Sequence, residues 1–492
     1  MESFVLRKEE KNMVKFGTGG WRAIIGEEFT KENIQKLALA LCLKIKAEHV
    51  EDQEIVIGYD RRFLSKEAVI WACQIFGKQG IKVLFVDRSS PTPLIMFYVM
   101  KHELLYGLMV TASHNPAIYN GIKVFTKGGR DADEHQTAQI EQYLVQAEKI
   151  YEKDDSEEGQ MPPHSYLDLV KSGMVVEMNP MNEYLDNIIS MINMDAIRER
   201  DLRIAIDPMY GVSLTALCTI LSIARCTVET INAQHDTLFG GKVPAPTEDT
   251  LRNLQNYVLD RYCDIGIATD GDADRLGVID DKGHYLHANT ILVMLYYYLL
   301  KYKGWRGPAV RNISTTHVLD RVAESFGQKC YEVPVGFKYI SAKMQETDAI
   351  IGGESSGGLT VKGHIHGKDG IYAASLLVEM IAVSGKKLSE IAEDIRKEYG
   401  EIHMEERAYR FTLEEKERIQ KVLMEDKGLP ELPFAADHVS YLDGCKVYFQ
   451  NGGWVSARFS GTEPLLRIFC EMETEHEAVQ VCEIFEEYLH LR

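Results

Sequence analysis

Several features that would place this chain in familiar protein classes are missing from its sequence. Acidic residues outnumber basic ones by 74 to 55, which leaves a net charge of −19 and disfavours a nucleic-acid surface. This charge is still compatible with a local basic pocket for a phosphorylated metabolite. The nine cysteines form no Cys-x-x-Cys pair, which disfavours a zinc knuckle or a thioredoxin-like site and indicates reduced thiols.

Long apolar segments are also missing. The longest apolar run, residues 291–300, is too short to span a bilayer. The opening residues lack the layout of a signal peptide. We therefore expect a cytoplasmic protein that has no nucleic-acid or membrane partner, and the sequence does not indicate its oligomeric state.

What the sequence does contain is a regular alternation of strand-like and helix-like segments. With 492 residues, 45% of them hydrophobic, the chain is long enough for three to four domains. Strand-like runs occur at residues 55–57, 83–86, 204–206 and 265–268, and helical spacing of apolar residues occurs at 31–46 and 66–80. This alternation predicts α/β units with parallel or mixed sheets.

Charged and turn-forming segments predict where these units end. Residues 152–163 are charged and close on two prolines, so they form either a domain boundary or a solvated surface loop. A helix over 179–193 would then open a second unit, and the turn at 280–283 would precede a third. From about Glu401 the pattern changes to strands at 446–449 and 466–469 with a final helix over 475–491, which predicts a small α+β domain.

Asp60, Asp207 and Asp270 each follow or end a strand-like run and precede a turn. This shared position is a weak hint that the α/β units are related.

The segment Thr-Ala-Ser-His-Asn-Pro at 111–116 follows the apolar run 104–110, which predicts a buried strand. Ser113 therefore lies on a loop at a strand end, beside His114. A hydroxyl in that position could carry a transferable group.

A second loop, Asp-Gly-Asp-Ala-Asp-Arg, follows the strand-like run 265–268. Asp270, Asp272 and Asp274 are spaced so that their carboxylates can converge on a hard cation such as Mg²⁺. An EF-hand is excluded, because its sixth and twelfth positions would be Arg275 and Asp281 in place of Gly and Glu. An acidic turn that caps a helix is the plain alternative, but Arg275 could reach a phosphate.

Two further loops have polar groups suited to a phosphorylated sugar. In Gly-Gly-Glu-Ser-Ser-Gly-Gly, Glu354 and Ser356 could bind sugar hydroxyls, although a Gly/Ser turn is the default interpretation. In Arg-Phe-Ser-Gly-Thr at 458–462, followed by Arg467, two guanidiniums and two hydroxyls could cradle a phosphate, although basic residues beside a strand are often just solvated.

Three basic residues lie near glycine-rich turns or near these loops. Arg22 ends the run Gly-Thr-Gly-Gly-Trp-Arg, Lys123 follows the serine segment, and Lys338 follows Val-Gly-Phe. A lone lysine is usually a surface charge, but candidate acid or base groups are otherwise scarce in these loops.

These loops, in this order along essentially the whole chain, resemble the α-D-phosphohexomutase family, and the phosphoglucomutase type most. The resemblance implies three related α/β domains with mixed sheets and a smaller C-terminal α+β domain around a central cleft. On this basis we expect domains at 1–176 with the phosphoserine loop, 177–284 with the metal loop, 285–400 with the sugar loop and 401–492 with the phosphate loop.

The resemblance also implies residue roles. Ser113 would be the phosphoserine and would complete a Mg²⁺ site with Asp270, Asp272 and Asp274. Arg22, His114, Lys123 and Arg275 would surround the reacting phosphate, and Lys338 would be an acid/base lysine. The sugar hydroxyls would be bound by Glu354 and Ser356, and the other phosphate by Arg458, Ser460, Gly461 and Thr462.

The implied activity is the interconversion of hexose 1-phosphate and hexose 6-phosphate, with glucose 1,6-bisphosphate as activator. Gly358 replaces a histidine of phosphoglucosamine mutases and of the dual glucose/mannose branch, which favours glucose, with mannose or a pentose as alternatives. A haloacid-dehalogenase-like phosphatase with Asp270 as nucleophile would leave the other loops unexplained. A non-catalytic sugar-phosphate-binding paralogue would not need an intact Ser113.

Overall fold

The computed structural model describes residues 14–17, 19–156, 165–460 and 465–491. The chain divides into two compact units. The first unit comprises Met1–His287 and Gly358–Leu388, and the second comprises Ala288–Gly357 and Ser389–Arg492.

The strands of the described residues are, in chain order, Phe16–Gly17 (β1), Gly20–Ile24 (β2), Ile55–Tyr59 (β3), Val83–Val86 (β4), Tyr106–Val110 (β5), Tyr119–Thr126 (β6), Arg130–Asp131 (β7), Val175–Met178 (β8), Arg203–Asp207 (β9), Thr227–Thr230 (β10), Ile265–Thr269 (β11), Leu276–Ile279 (β12), Tyr285–Leu286 (β13), Ala309–Asn312 (β14), Cys330–Val333 (β15), Ile351–Gly353 (β16), Leu359–Val361 (β17), His403–Arg410 (β18), Ala436–Ser440 (β19), Cys445–Phe449 (β20), Trp454–Phe459 (β21) and Leu465–Met472 (β22).

The α-helices of the same residues are Lys31–Ala47 (α1), Ser65–Lys78 (α2), Thr92–Lys101 (α3), Glu134–Ser156 (α4), Tyr166–Ser172 (α5), Met181–Met191 (α6), Met194–Arg198 (α7), Leu214–Ile223 (α8), Arg252–Arg261 (α9), Ala288–Lys301 (α10), Val318–Ser325 (α11), Phe337–Thr347 (α12), Gly370–Ser384 (α13), Leu388–Tyr399 (α14), Leu413–Gln420 (α15) and Glu475–Tyr488 (α16). None of the described helices combines the length and the apolar character that crossing a membrane requires.

Two mixed sheets form the framework of the first unit. The larger has the strand order β1-β2-β6-β5-β3-β4-β8, and the smaller has the order β10-β9-β11-β12-β13. In the larger sheet β3 is parallel to β4 and β5, whereas β5 and β6 are antiparallel. All residues of β3, β4, β5 and β11 are buried, as expected for central strands covered on both faces.

The sheets of the second unit differ in type. The strands β15-β14-β16 are parallel, whereas β18-β22-β21-β20-β19 form a five-stranded antiparallel sheet. The helices α15 and α16 that accompany this sheet both begin with a capping box, formed by Thr412 with Glu415 and by Thr474 with Glu477. Such boxes satisfy backbone N–H groups that the first helical turn leaves unpaired.

A partly buried ion-pair network joins the two sheets of the second unit. We use this name for Arg311 on β14, Asp320 on α11, Glu332 on β15, Lys446 on β20 and His317. The Lys446 ammonium lies 2.8 Å from the Glu332 carboxylate and 3.0 Å from His317 Nε2, and Arg311 Nε lies 2.6 Å from Asp320 Oδ2. Lys446 also lies over the Trp454 ring at 4.1 Å.

Most predicted strands and helices have the expected type. The predicted strands at 55–57, 83–86, 204–206 and 265–268 lie within β3, β4, β9 and β11, and the helix predicted over 31–46 is α1. The charged linker differs, because α4 continues to Ser156, and a run of charges does not by itself end a helix. Residues 157–163 of that linker lie outside the described residues.

Candidate active site

The serine loop, which we define as residues 111–119, connects β5 to β6, includes the first residue of β6 and holds Ser113 at a buried position. Ser113 has a backbone φ of +50°, a left-handed conformation that is uncommon for residues other than glycine. Its hydroxyl donates to Asp270 Oδ2 at 2.6 Å and lies 3.3 Å from His114 Nδ1. Ser113 thus lies on a loop that follows the end of β5, where the sequence predicts it, and its side chain is buried.

The aspartate loop, residues 270–275, lies between the antiparallel strands β11 and β12. Asp270, Asp272 and Asp274 are all buried, and one carboxylate oxygen of each lies within 4.8 Å of the others. The loop also packs directly on the serine loop, since a Cβ at Gly271 would lie 2.7 Å from the Ser113 carbonyl oxygen. Glycine at this position therefore permits the close approach of the two loops.

Two lysines neutralise part of this carboxylate charge. Lys123 on β6 donates to Asp272 Oδ2 and to Asp274 Oδ2, both at 2.7 Å. Lys368 lies 3.0 Å from Asp274 Oδ2. The Thr92 hydroxyl adds a hydrogen bond of 2.6 Å to Asp272 Oδ2.

The remaining oxygen atoms of two aspartates fit a cation site. Asp272 Oδ1 and Asp274 Oδ1 are buried and lack a hydrogen-bond partner among the described residues. Buried carboxylate oxygens are rarely left unpaired in folded proteins. Three converging carboxylates match the oxygen ligands that Mg²⁺ prefers, so the residues present fit this ion.

The three carboxyl groups differ in their electrostatic surroundings. Burial, followed by the charges of Asp272 and Asp274, raises the pKa of Asp270 well above its usual value. Burial also opposes ionisation of Asp272 and Asp274, but contacts with Lys123 outweigh it and lower the pKa of both. The lysine contacts thus favour the charged forms of Asp272 and Asp274, whereas the charges of these two carboxylates disfavour that of Asp270.

Arg22 and His114 lie at the same site. Arg22 Nη1 donates to Asn115 Oδ1 of the serine loop at 2.5 Å, and burial followed by the nearby charge of Arg275 lowers its pKa. Burial, then Arg275 and Arg22, lower the pKa of His114 well below its usual value, so its imidazole is neutral near pH 7. Arg275 donates its backbone N–H to Asp270 Oδ1 at 3.0 Å.

The other predicted site residues lie on the second unit. Ser356 Oγ donates to Glu354 Oε1 at 2.7 Å, just after β16. Arg458 on β21 pairs with Asp443 at 3.2 Å. Asp443 also accepts the backbone N–H of Val335 at 2.9 Å, which links the arginine to the turn before α12, the helix that carries Lys338.

Lys338 Nζ lies 5.1 Å from the centre of the Tyr339 ring.

The phosphate loop is described only in part. The Ser460 N–H donates to the Leu465 carbonyl oxygen at 2.7 Å. Gly461 and Thr462 lie outside the described residues.

Sequence reasoning missed three residues of the first unit's site. Lys368 reaches Asp274 from the residue before Asp369, and Asp369 caps α13 by accepting the N–H groups of Ile371 and Tyr372. A lysine next to an N-cap aspartate, directly before a long apolar helix, was the available signal. Asp60 and Arg62 lie beneath the serine loop, and their Asp-x-Arg pattern alone carried no signal of that role.

Models of one protein family match this chain in four consecutive segments. The phosphoglucomutase/phosphomannomutase alpha/beta/alpha domains I, II and III match residues 13–151, 182–283 and 287–399, and the C-terminal domain of that family matches 404–487. A phosphoglucomutase/phosphomannomutase of Thermococcus kodakarensis is 30% identical over 95% of this chain and 97% of its own length. The chain belongs to the phosphoglucomutase/phosphomannomutase family.

Other relatives carry different substrate names. A protein of Methanopyrus kandleri named as a phosphoglucosamine mutase is 29% identical over 96% of both chains. A Thermus thermophilus structure assigned as a phosphomannomutase has a TM-score of 0.81 with 26% identity, covering 97% of this chain and 99% of its own. The family consists of phosphohexomutases, which are isomerases, and the predicted three α/β domains plus a C-terminal domain are confirmed.

A more distant structure shares the fold. The N-acetylphosphoglucosamine mutase of Aspergillus fumigatus, solved in complex with GlcNAc-6P and magnesium, has a TM-score of 0.59 with 13% identity, covering 97% of this chain and 96% of its own.

Proposed function

We propose that this protein interconverts hexose 1-phosphate and hexose 6-phosphate, with glucose as the preferred sugar, through a phosphoserine at Ser113 and a hexose 1,6-bisphosphate. The observation that carries the proposal is the 2.6 Å contact of Ser113 Oγ with Asp270 Oδ2 beside two buried, unpaired carboxylate oxygens. This contact places a nucleophilic hydroxyl beside a candidate cation site, and all of these residues belong to the first unit.

Each half of the reaction breaks one phosphorus–oxygen bond and forms another. In the forward half, the Ser113 phosphate passes to a sugar hydroxyl, which loses its proton, and Ser113 Oγ regains one. In the return half, Ser113 Oγ attacks the other phosphate of the bisphosphate and loses its proton again, while the sugar oxygen that releases this phosphate takes up a proton and becomes a hydroxyl. Asp270 Oδ2 accepts the Ser113 hydroxyl proton at 2.6 Å, and His114 Nδ1 lies 3.3 Å from the same Ser113 oxygen.

Cationic side chains of the first unit would bind the transferring group. Arg22 and Arg275 supply guanidinium donors suited to phosphate oxygens, and Lys123 and Lys368 hold Asp272 and Asp274 in place. Asp270, Asp272 and Asp274, together with the Ser113 phosphate, would hold Mg²⁺. This ion, when bound, neutralises negative charge that develops on the transferring phosphoryl group.

Other side chains would recognise the rest of the substrate. Glu354 and Ser356 offer an acceptor and a hydroxyl for sugar hydroxyls. Arg458, with Ser460, Gly461 and Thr462, would bind the phosphate that is not reacting. Lys338 would move the proton of the attacking sugar hydroxyl.

The preference for glucose rests on Gly358 and on Lys338. Gly358 occupies the position at which phosphoglucosamine mutases and the dual glucose/mannose branch have a histidine. Glucosamine 1-phosphate is the second candidate because several relatives, including that of Methanopyrus kandleri, are named as phosphoglucosamine mutases. Mannose 1-phosphate and pentose phosphates follow, and family membership disfavours the phosphatase and the non-catalytic paralogue. We further propose a cytoplasmic location, with hexose phosphates as the binding partners.

The test is a coupled assay for glucose 6-phosphate with Mg²⁺ and a trace of glucose 1,6-bisphosphate, run in parallel on glucose, glucosamine, mannose and ribose 1-phosphates, with product assays matched to each sugar. We expect the highest kcat/KM with glucose 1-phosphate and a loss of roughly 10⁴-fold or more in Ser113→Ala.

Faster turnover of another sugar would overturn the glucose assignment alone. Release of free phosphate, or equal activity of Ser113→Ala, would overturn the phosphoserine mechanism.

A further inference from the structure

The serine loop rests on one buried guanidinium. Arg62 Nη2 donates to the carbonyl oxygens of Ser113 at 2.6 Å and Asn115 at 2.7 Å, and Nη1 donates to those of Pro116 at 2.9 Å and Tyr119 at 3.0 Å. Its side chain has no exposed surface. Four carbonyls of one loop therefore converge on a single planar cation.

The guanidinium is itself held from two sides. Arg62 Nε lies 3.3 Å from Asp60 Oδ2, and Asp60 Oδ1 accepts the Arg62 N–H and the Ser65 hydroxyl, both at 2.9 Å. The Phe239 ring covers the guanidinium at 4.9 Å. A planar group paired and stacked in this way has little freedom to turn.

The same carboxylate also reaches the serine loop. The Thr111 hydroxyl donates to Asp60 Oδ2 at 2.6 Å, and Thr111 Oγ1 accepts the backbone N–H of Ser113 at 2.9 Å. Asp60 and Arg62 thus fix both backbone polar groups of Ser113, the N–H through Thr111 and the carbonyl directly.

This support matters because Ser113 is in a left-handed backbone conformation, at φ +50°. A residue with a Cβ keeps such a conformation only when its surroundings enforce it. The conformation directs Oγ to Asp270 Oδ2, which lies 2.6 Å away. A loop free to relax would move the oxygen out of line with the aspartate loop.

We propose that Arg62 is a positioning residue for the reaction: by binding four carbonyls of the serine loop it holds Ser113 in the conformation from which its phosphate is transferred. This inference rests on the proposed function of Ser113. Arg62 is beneath the loop and acts through the backbone of Ser113.

The neighbouring Arg61 offers a matched control. Its Nη1 donates to the carbonyl oxygens of Tyr210 and Ala233, at 3.3 and 3.2 Å, in place of the serine loop. Arg61→Lys removes an equally large guanidinium one residue away.

The kinetic experiment compares Arg62→Lys, Arg62→Ala and Arg61→Lys with the wild type. We expect kcat to fall roughly 100-fold in both Arg62 variants, because a small displacement of the reacting oxygen has an effect of that size, while KM changes little. Arg61→Lys should lose far less. Added guanidinium ion should restore part of kcat to Arg62→Ala and none to Ser113→Ala.

Hydrogen exchange of the peptide that covers residues 111–120 provides a readout independent of catalysis. Faster exchange in that peptide of the Arg62 variants, beyond any increase in the other peptides of the first unit, supports positioning even if Ser113 carries no phosphate, in which case only the proposed function fails. Wild-type kcat and exchange in Arg62→Lys would overturn the inference. If Arg62→Ala does not fold, Arg62→Lys decides the question by the same two readouts, and a fall in kcat with unchanged loop exchange would also overturn it.

Discussion

Two clusters of charged residues in this molecule differ in how fully their carboxylate oxygens are hydrogen-bonded. In the ion-pair network of the second unit, both Asp320 oxygens accept from Arg311, and the Glu332 carboxylate is bound by Lys446, Arg311 and Tyr448. In the carboxylate cluster of Asp270, Asp272 and Asp274, two oxygen atoms lack a partner among the described residues. Every carboxylate oxygen of the ion-pair network thus has a hydrogen-bond donor, whereas the carboxylate cluster keeps two oxygens without one among the described residues.

The difference separates a structural role from a functional one. A buried ion pair contributes to a fixed arrangement only if its polar atoms are satisfied, and the network meets that condition. A cluster that leaves carboxylate oxygens unpaired is unstable on its own and becomes favourable when a cation binds. Perturbed ionisation occurs in both clusters, so the convergence of three carboxylates that retain unpaired oxygens identifies the functional one.

The largest effect that would sharpen this contrast is the loss of metal-dependent turnover. Asp270→Asn should reduce kcat/KM roughly 10³-fold, because several kcal/mol of charge stabilisation are lost with a metal ligand. Its free energy of unfolding should not fall, since one of three neighbouring buried carboxylate charges is removed. Kinetics over a Mg²⁺ titration and urea denaturation check the two parts.

The matched variant in the ion-pair network is Asp320→Asn. It should keep the wild-type dependence on Mg²⁺ and lose stability. Equal loss of Mg²⁺ dependence in both variants would contradict the assignment of a functional role to one cluster and a structural role to the other.

The next effect is on stability. Glu332→Gln should lower the free energy of unfolding by about 3 kcal/mol, because Lys446 and Arg311 stay buried with less counter-charge. In the exposed pair Arg252–Asp249, whose atoms lie 2.7 Å apart, Asp249→Asn should cost less than about 1 kcal/mol. Urea denaturation of both variants measures the difference. Equal losses of unfolding free energy would show that the network contributes no more to stability than an exposed ion pair does.

The smallest effect concerns pH. Burial, followed by the charge of Arg311, lowers the pKa of His317 to about 3, below the value near 6.5 of an unfolded histidine. The unfolded state therefore binds a proton first, and stability falls as pH decreases from about 6.5 towards 3.

In His317→Gln the fall in unfolding free energy between pH 6.5 and 5 should be smaller by about 2 kcal/mol. Denaturation curves measured across this range check the prediction. Identical pH profiles for the variant and the wild type would show that His317 gains its proton equally in both states.

The sequence was most informative where chemistry depends on spacing within one loop. Asp270, Asp272 and Asp274 alternate with small residues, so their convergence follows from local geometry. Ser113 follows an apolar run long enough to be a buried strand. The strands β3, β4, β9 and β11 were predictable for the same reason, since their apolar runs are continuous.

What the sequence could not show depends on contacts between distant segments. Lys368 meets Asp274 across 94 positions of sequence, and Arg62 meets the serine loop across 51 or more. Lys446 and Glu332 lie on different sheets, 114 positions apart. Lone charged residues carry no pattern, so tertiary structure alone assigns their partners.

The most direct test of the account is a single-turnover transfer from the enzyme itself. Protein labelled with ³²P by incubation with labelled glucose 1,6-bisphosphate is mixed with unlabelled glucose 1-phosphate and Mg²⁺. The label on Ser113 is followed by peptide mass spectrometry and scintillation counting. We predict one label per chain on Ser113, which passes to the sugar phosphates within a turnover. Label absent from Ser113, or label that stays there, would contradict the assignment of this cluster as the transfer site.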